Sequence, residues 1–312
     1  MGLNARIPLA CSLLLALCAC GNFIELEPPR DDVSPTVDAG PAPAPGSDAA
    51  VARGFYATCA DALSQPSAVS EDAYGGLLSQ HVQTGTDGFA LVDYVGWSQA
   101  APDMAALGAH LAEVATASPG ACDLAFWINA YNALVLRGVL DTFGGDTGYS
   151  VSDDDFAFFK SPRYPVAGMM LSLDELEHGV VRGDWLHGSV DGSPSIDQLM
   201  AAHTQLWNGE AVDARIHMAL NCAARGCPNL GDVPYTGDSL DAQLEAATRA
   251  FLANGDKGAG PSGITQLFDW FRPDFETDSG SVDDFIRLHR PGGLSDVDSG
   301  RFIPYDWTLN SL

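Results

Sequence analysis

The stretch Asp213-Ala-Arg-Ile-His-Met-Ala-Leu-Asn-Cys-Ala-Ala-Arg-Gly-Cys-Pro-Asn229 decides how the rest of this chain is read. Its alternation predicts a strand with Ile216, Met218, Leu220 and Cys222 on one face, breaking into small residues, Cys227 and Pro228. A thiol at the end of a buried strand, beside a loop with free backbone N–H groups, suits a cysteine nucleophile. Two other readings stay open. Unpaired cysteine is among the most buried residue types, and a Cys222–Cys227 bridge would silence the nucleophile.

Outward from this stretch, two helices carry the other unusual polar residues. Ala121–Leu140 is apolar on all sides and predicts a buried helix, with Asn129 and Asn132 three apart on one face. A buried amide without partners costs about 1–3 kcal/mol, so these two either brace a neighbouring loop or line a site. Ser172 and Glu175 form a capping box that starts a second helix. At about 100° per residue, Glu177 falls within the apolar arc of Leu173, Leu176, Val180 and Val181, and His178 lies near its edge or beyond. A carboxylate there is paired with Arg215 or Arg137, or keeps its proton through a raised pKa. Alternatively it orients an imidazole in a nucleophile–base–orienter set. His178 is favoured as the base over His217, whose strand parity turns it away from Cys222. Zinc on Cys222, Cys227, His178 and His217 is the competing chemistry, but the usual Cys-x2-Cys spacing is absent and no metal is expected. Asp296–Gly300 starts like a calcium loop, lacks the closing glutamate and reads as a turn. Three amphipathic segments, 240–251, 264–271 and 282–288, read as framework helices, with Trp270 and Phe271 in the core.

Residues 1–19 have the short apolar core of a signal peptide, and Leu17-Cys18-Ala19-Cys20 resembles a bacterial lipobox with Cys20 as the lipidated residue. A plain secretory signal cut near Ala19 is the alternative. The Pro-, Ala- and Asp-rich residues 20–52 read as a disordered tether, leaving 53–312 as a single domain. Of the chain's 41 acidic and 15 basic residues, 35 and 13 fall in that domain. Such a surface disfavours nucleic acid and anionic lipid headgroups, so membrane attachment is expected through the N-terminal lipid alone. An exported location permits disulfides, and Cys59 with Cys122 is one possible pair.

Five segments then occur in an informative order: Ala125–Asn132, Leu171–His178, Ala214–Cys222 with Cys227-Pro228, Phe268–Phe271 and Tyr305–Asn310. Together they resemble the domain-of-unknown-function 547 (DUF547) family over roughly residues 77–310. Members look similar to papain-like and transglutaminase-like cysteine enzymes. The resemblance implies Cys222 as nucleophile, His178 as base and Glu177 as the orienting carboxylate. Asn132, Asn129 or the backbone N–H groups of Ala223 and Ala224 would line the site and hold an oxyanion. The expected fold is α+β, a helix-rich single domain with a small, mostly antiparallel sheet and a papain-like or transglutaminase-like core. The expected function is that of an exported, lipid-anchored cysteine hydrolase or acyltransferase of the bacterial cell envelope, acting on peptide or amide bonds without a cofactor. The alternative is a non-catalytic envelope binding or scaffold domain.

Overall fold

Asp123 starts the central element of the fold. Its carboxylate accepts from the Phe126 backbone N–H at 3.2 Å and launches the helix Leu124–Thr142, nearly every residue of which is buried. This is a computed structural model that describes residues 54–146, 148–161 and 163–312; the expected signal segment, Cys20 and the tether lie outside them. Tyr94–Gln99 and Ala101–Thr116 pack on the central helix, Asp72–His81 packs on those two and Ile196–Trp207 on the segment Glu175–Val181, and together they build the larger apolar core. A smaller core, with Phe251, Phe268, Phe275, Phe285 and Ile286, is supplied by Leu240–Ala253, Leu267–Trp270, Arg272–Ser279 and Val282–His289. Among the described residues no helix is long and apolar enough to cross a membrane.

Among the described residues the strands form three two-stranded antiparallel pairs: Val82–Thr84 with Ala90–Val92, Tyr164–Val166 with Met169–Leu171, and Ala259–Gly260 with Gly263–Ile264. Helix-rich architecture with small antiparallel pairings is therefore as expected. A papain-like or transglutaminase-like core is not found among the described residues. The segment expected to supply its strand is no strand, since Ala214–Met218 is a 3-10 helix. Ala214 and Met218 belong to the smaller core while Ile216 belongs to the larger one. The alternation thus records burial between two cores rather than a pleat with one wet face. Asp213 fixes the start, accepting from the Arg215 backbone N–H at 3.0 Å and from its guanidinium at 2.7 Å.

The C-terminal segment is stitched to the loop beyond this 3-10 helix. Arg225 N–H donates to Thr308 O, Gly226 N–H to Asp306 O and Asn310 N–H to Ala223 O, all at 2.8–2.9 Å. Gly226 is required by this approach, because a Cβ there would stand 2.9 Å from the Asp306 backbone nitrogen. Two disulfides lock the fold: Cys59–Cys122, spanning 63 residues, and Cys222–Cys227, spanning 5. By loop-closure entropy the first stabilises by about 4 kcal/mol and the second by about 2 kcal/mol. Replacing Cys59 and Cys122 together with alanine is expected to lower the unfolding free energy in urea by about twice the loss seen for Cys222 and Cys227; a reversed order would contradict this assignment.

Candidate functional site

A cavity of about 250 Å³ draws its walls from both cores, with Tyr131 and Leu220 from one side and Leu267 and Phe271 from the other. Glu177, His178, His187, His217 and Cys222 line it together. The capping box forms as predicted: Ser172 N–H donates to Glu175 Oε2 at 2.8 Å and Glu175 N–H to Ser172 Oγ at 3.1 Å. It opens a π-helix, Glu175–Val181, in which the Arg182 N–H reaches back five residues to Glu177 O. A wider turn rotates successive side chains by less than 100°. Glu177 and His178 therefore both face the cavity, where α-helical geometry would have spread them apart. His217 also lines it, contrary to its expected parity, because the segment is not a strand.

Cys222 is not a free thiol. It is bridged to Cys227, which removes the nucleophile of the expected Cys222–His178–Glu177 set and overturns the cysteine hydrolase or acyltransferase reading. The same bridge removes both thiolates from the zinc alternative. Of the other expected site residues, Asn129, Asn132 and Ala223 are held as braces. Asn129 exchanges two hydrogen bonds with the Tyr235 backbone, at 2.8 and 2.9 Å. Asn132 donates to Ala219 O at 3.0 Å and accepts from Asn221 N–H at 2.9 Å. Ala223 N–H donates to Asn221 Oδ1, and Ala224 lies opposite Leu309. Arg137 pairs with Asp141, and Arg215 with Asp213, Asp241 and Glu245.

The imidazoles have defined tautomers. His178 Nδ1 accepts from Arg182 Nη1 at 2.8 Å, and His187 Nδ1 accepts from the Ser189 backbone N–H at 3.3 Å. Guanidinium and amide can only donate, so each neutral ring carries its proton on Nε2. Burial holds both pKa values below the usual histidine range, and the rings stack with centroids 3.7 Å apart. Asp174, with an oxygen 4.0 Å from His178 Nε2, accepts from Ser189 Oγ at 2.5 Å. Ligand atoms of Asp174, His178 and His187 lie within 4.8 Å of one another. A metal on Nε2 would force the proton onto Nδ1, against the N–H groups of Arg182 and Ser189. The donor set therefore does not fit a cation in this arrangement.

Two carboxyls are pushed in opposite directions. Burial raises Glu177 to about 7, against a hydrogen bond with Tyr131 and the nearby Arg182 charge that favour ionisation. It keeps partial solvent contact through the cavity. Burial would also raise Asp274, but hydrogen bonds from His217, at 2.8 Å, and Arg182, at 2.7 Å, outweigh it and hold the group well below the usual carboxylate range. The far wall is aromatic. Trp270, Tyr305 and Trp307 form a cluster with centroids 4.5–5.7 Å apart, and Phe156 meets Trp307 at 4.9 Å. Trp270 is 41% exposed, so it belongs to the mouth and not to the core as expected.

Sequence reasoning missed Asp174, Arg182, His187, Asp274 and Trp307. Asp174 and His178, four apart in one helical segment, offered a signal; His187 arrives through an irregular turn and offered none. The raised Glu177 pKa has a stability consequence. Between pH 4.5 and about 7 the unfolded chain releases this proton while the folded chain keeps it, so stability falls as pH rises through that window. Glu177→Gln is expected to be more stable than the parent by about 1–3 kcal/mol at pH 8, with the difference vanishing near pH 4.5. Urea unfolding at the two pH values checks it, and a difference independent of pH would refute the assignment.

No curated protein and no solved structure matches this chain. The central region, residues 118–252, which carries the buried helix, the π-helix and the disulfide loop, matches the family described as a protein of unknown function, DUF547.

Proposed function

We propose that the domain is a binding module that does no chemistry on its ligand, a small polyhydroxylated molecule of the size of one sugar ring. The observation that carries this reading is the mixture of groups around one cavity. Two imidazole Nε2–H donors stand beside the Asp174 and Glu177 acceptors, facing the half-exposed Trp270, Tyr305 and Trp307 rings. Hydroxyls both donate and accept, while the C–H face of a sugar ring packs on flat aromatic surface. A cavity of about 250 Å³ falls below the range of about 300–1,000 Å³ typical for drug-sized ligands. That favours a single ring over an extended peptide.

The location belongs to the same proposal. An N-terminal signal with lipid on Cys20, followed by a tether, would hold the module at the bacterial cell envelope, outside the cytoplasm. Two disulfides are in keeping with an oxidising compartment. The acidic surface favours neither nucleic acid nor anionic headgroups as partners.

Isothermal titration with a panel of neutral monosaccharides and short peptides tests the ligand class. At least one sugar is expected to bind, with Trp270→Ala and Asp174→Asn each weakening it about tenfold or more, a loss of about 1.4 kcal/mol. Binding of peptides alone, or of no sugar in the panel, would sink the proposal.

A further inference from the structure

The two disulfides occupy unlike places. Cys59 and Cys122 are sealed in the larger core at 1% and 2% exposure. Cys222 is half-buried and lines the cavity, its sulfur 3.4 Å from the Tyr305 hydroxyl. A bridge across so short a loop removes only about half the chain entropy that the Cys59–Cys122 bridge removes, and unlike that bridge it stands in a cavity wall. Ala223, with φ of 64°, sits in the left-handed region that residues with a Cβ avoid, but so does Cys122 at 65°, so burial rather than backbone strain separates the two bridges.

The surroundings favour a negative charge on Cys227. The Cys222 backbone N–H points at the Cys227 sulfur, and a hydrogen bond to a thiolate is stronger than one to a neutral sulfur. The buried Lys257 ammonium lies against the same residue, donating to Cys227 O and Asn229 Oδ1, both at 2.7 Å. Attack at the accessible Cys222 sulfur would therefore expel a leaving group already provided with an N–H donor, in a residue whose carbonyl holds the Lys257 ammonium.

We infer that Cys222–Cys227 is an exchangeable disulfide that oxidises a dithiol entering the cavity. One thiolate of the dithiol attacks Cys222 Sγ, the Cys222–Cys227 bond breaks, and its electron pair leaves on Cys227. The second thiolate then attacks its own partner sulfur in the mixed disulfide and releases Cys222. The dithiol loses two electrons and two protons and becomes a disulfide; Cys222 and Cys227 gain them and become thiols. This activity goes beyond sugar binding and does not depend on it.

The test is reduction of the native full chain with dithiothreitol, with acid quenching, alkylation and mass-spectrometric location of the labelled cysteines. Cys222 and Cys227 are expected to be labelled at least 100-fold faster than Cys59 and Cys122. Equal rates, or labelling of Cys222 only after denaturant is added, would overturn the inference. In Cys227→Ser, folded by circular dichroism, Cys222 is expected to form a mixed disulfide with oxidised glutathione; a Cys222 that stays unmodified also overturns it. Sugar titration of the oxidised parent reads the binding proposal separately, so failure of one leaves the other standing.

Discussion

The arrangement rests on two side-chain amides in series. Asn132, fixed on the buried helix, grips Ala219 O and Asn221 N–H; Asn221 in turn grips Pro228 O at 2.7 Å and Ala223 N–H at 3.0 Å. Residues 219–228 have no helix or strand to satisfy their backbone. These amides satisfy four of its groups and the C-terminal segment satisfies three more, in a buried place where an orphaned group would cost about 1–3 kcal/mol. The disulfide, the docking of the C-terminal segment and the position of Tyr305 all depend on that clamp. It is also why two asparagines are found inside an otherwise apolar helix.

Charge behind the cavity wall is arranged around Arg182, which touches the lining through His178. Its Nε bonds to Asp274, which also takes the His217 proton donor, and its Nη1 bonds to His178 Nδ1. One cation thereby compensates the ionised Asp274 and sets the tautomer of His178. Burial disfavours charge on what remains: the histidines stay neutral, and Glu177 keeps its proton up to about neutral pH. The result is a set of fixed donors and acceptors suited to a ligand that offers hydroxyls.

Much of this is legible from residue order. The capping box at Ser172–Glu175 and the burial of the Leu124–Thr142 helix obey local rules, whereas the choice between bracing and site-lining at Asn129 and Asn132 is open in the sequence and is decided by partners 106 and 87 residues away. Pairing of Cys59 with Cys122 is open in the sequence and present in the fold. Two departures have physical causes. The period of two at 214–222 suggests a strand, yet residues 214–221 are wedged between two cores and buried, with only Cys222 half-exposed. A period of 3.6 separates Glu177 from His178, yet the backbone there winds as a π-helix. The choice between thiol and disulfide at Cys222 depends on how the loop brings two sulfurs together, which spacing alone does not fix.

The docking of the C-terminal segment bears on the order of synthesis. Tyr305 meets Cys222 across 83 residues of sequence, and Trp307, Trp270 and Phe271 also come from beyond residue 252. Asn310 further ties Val92 and Tyr94 to Ala223, through its carbonyl, side chain and N–H respectively. On the ribosome, the DUF547-like region 118–252 emerges with its cavity missing one wall, and the aromatic lining arrives only with the last residues described. An excised 118–252 fragment would expose apolar surface that the whole chain covers. The unit that must be complete before the cavity exists is therefore larger than the stretch the family match spans.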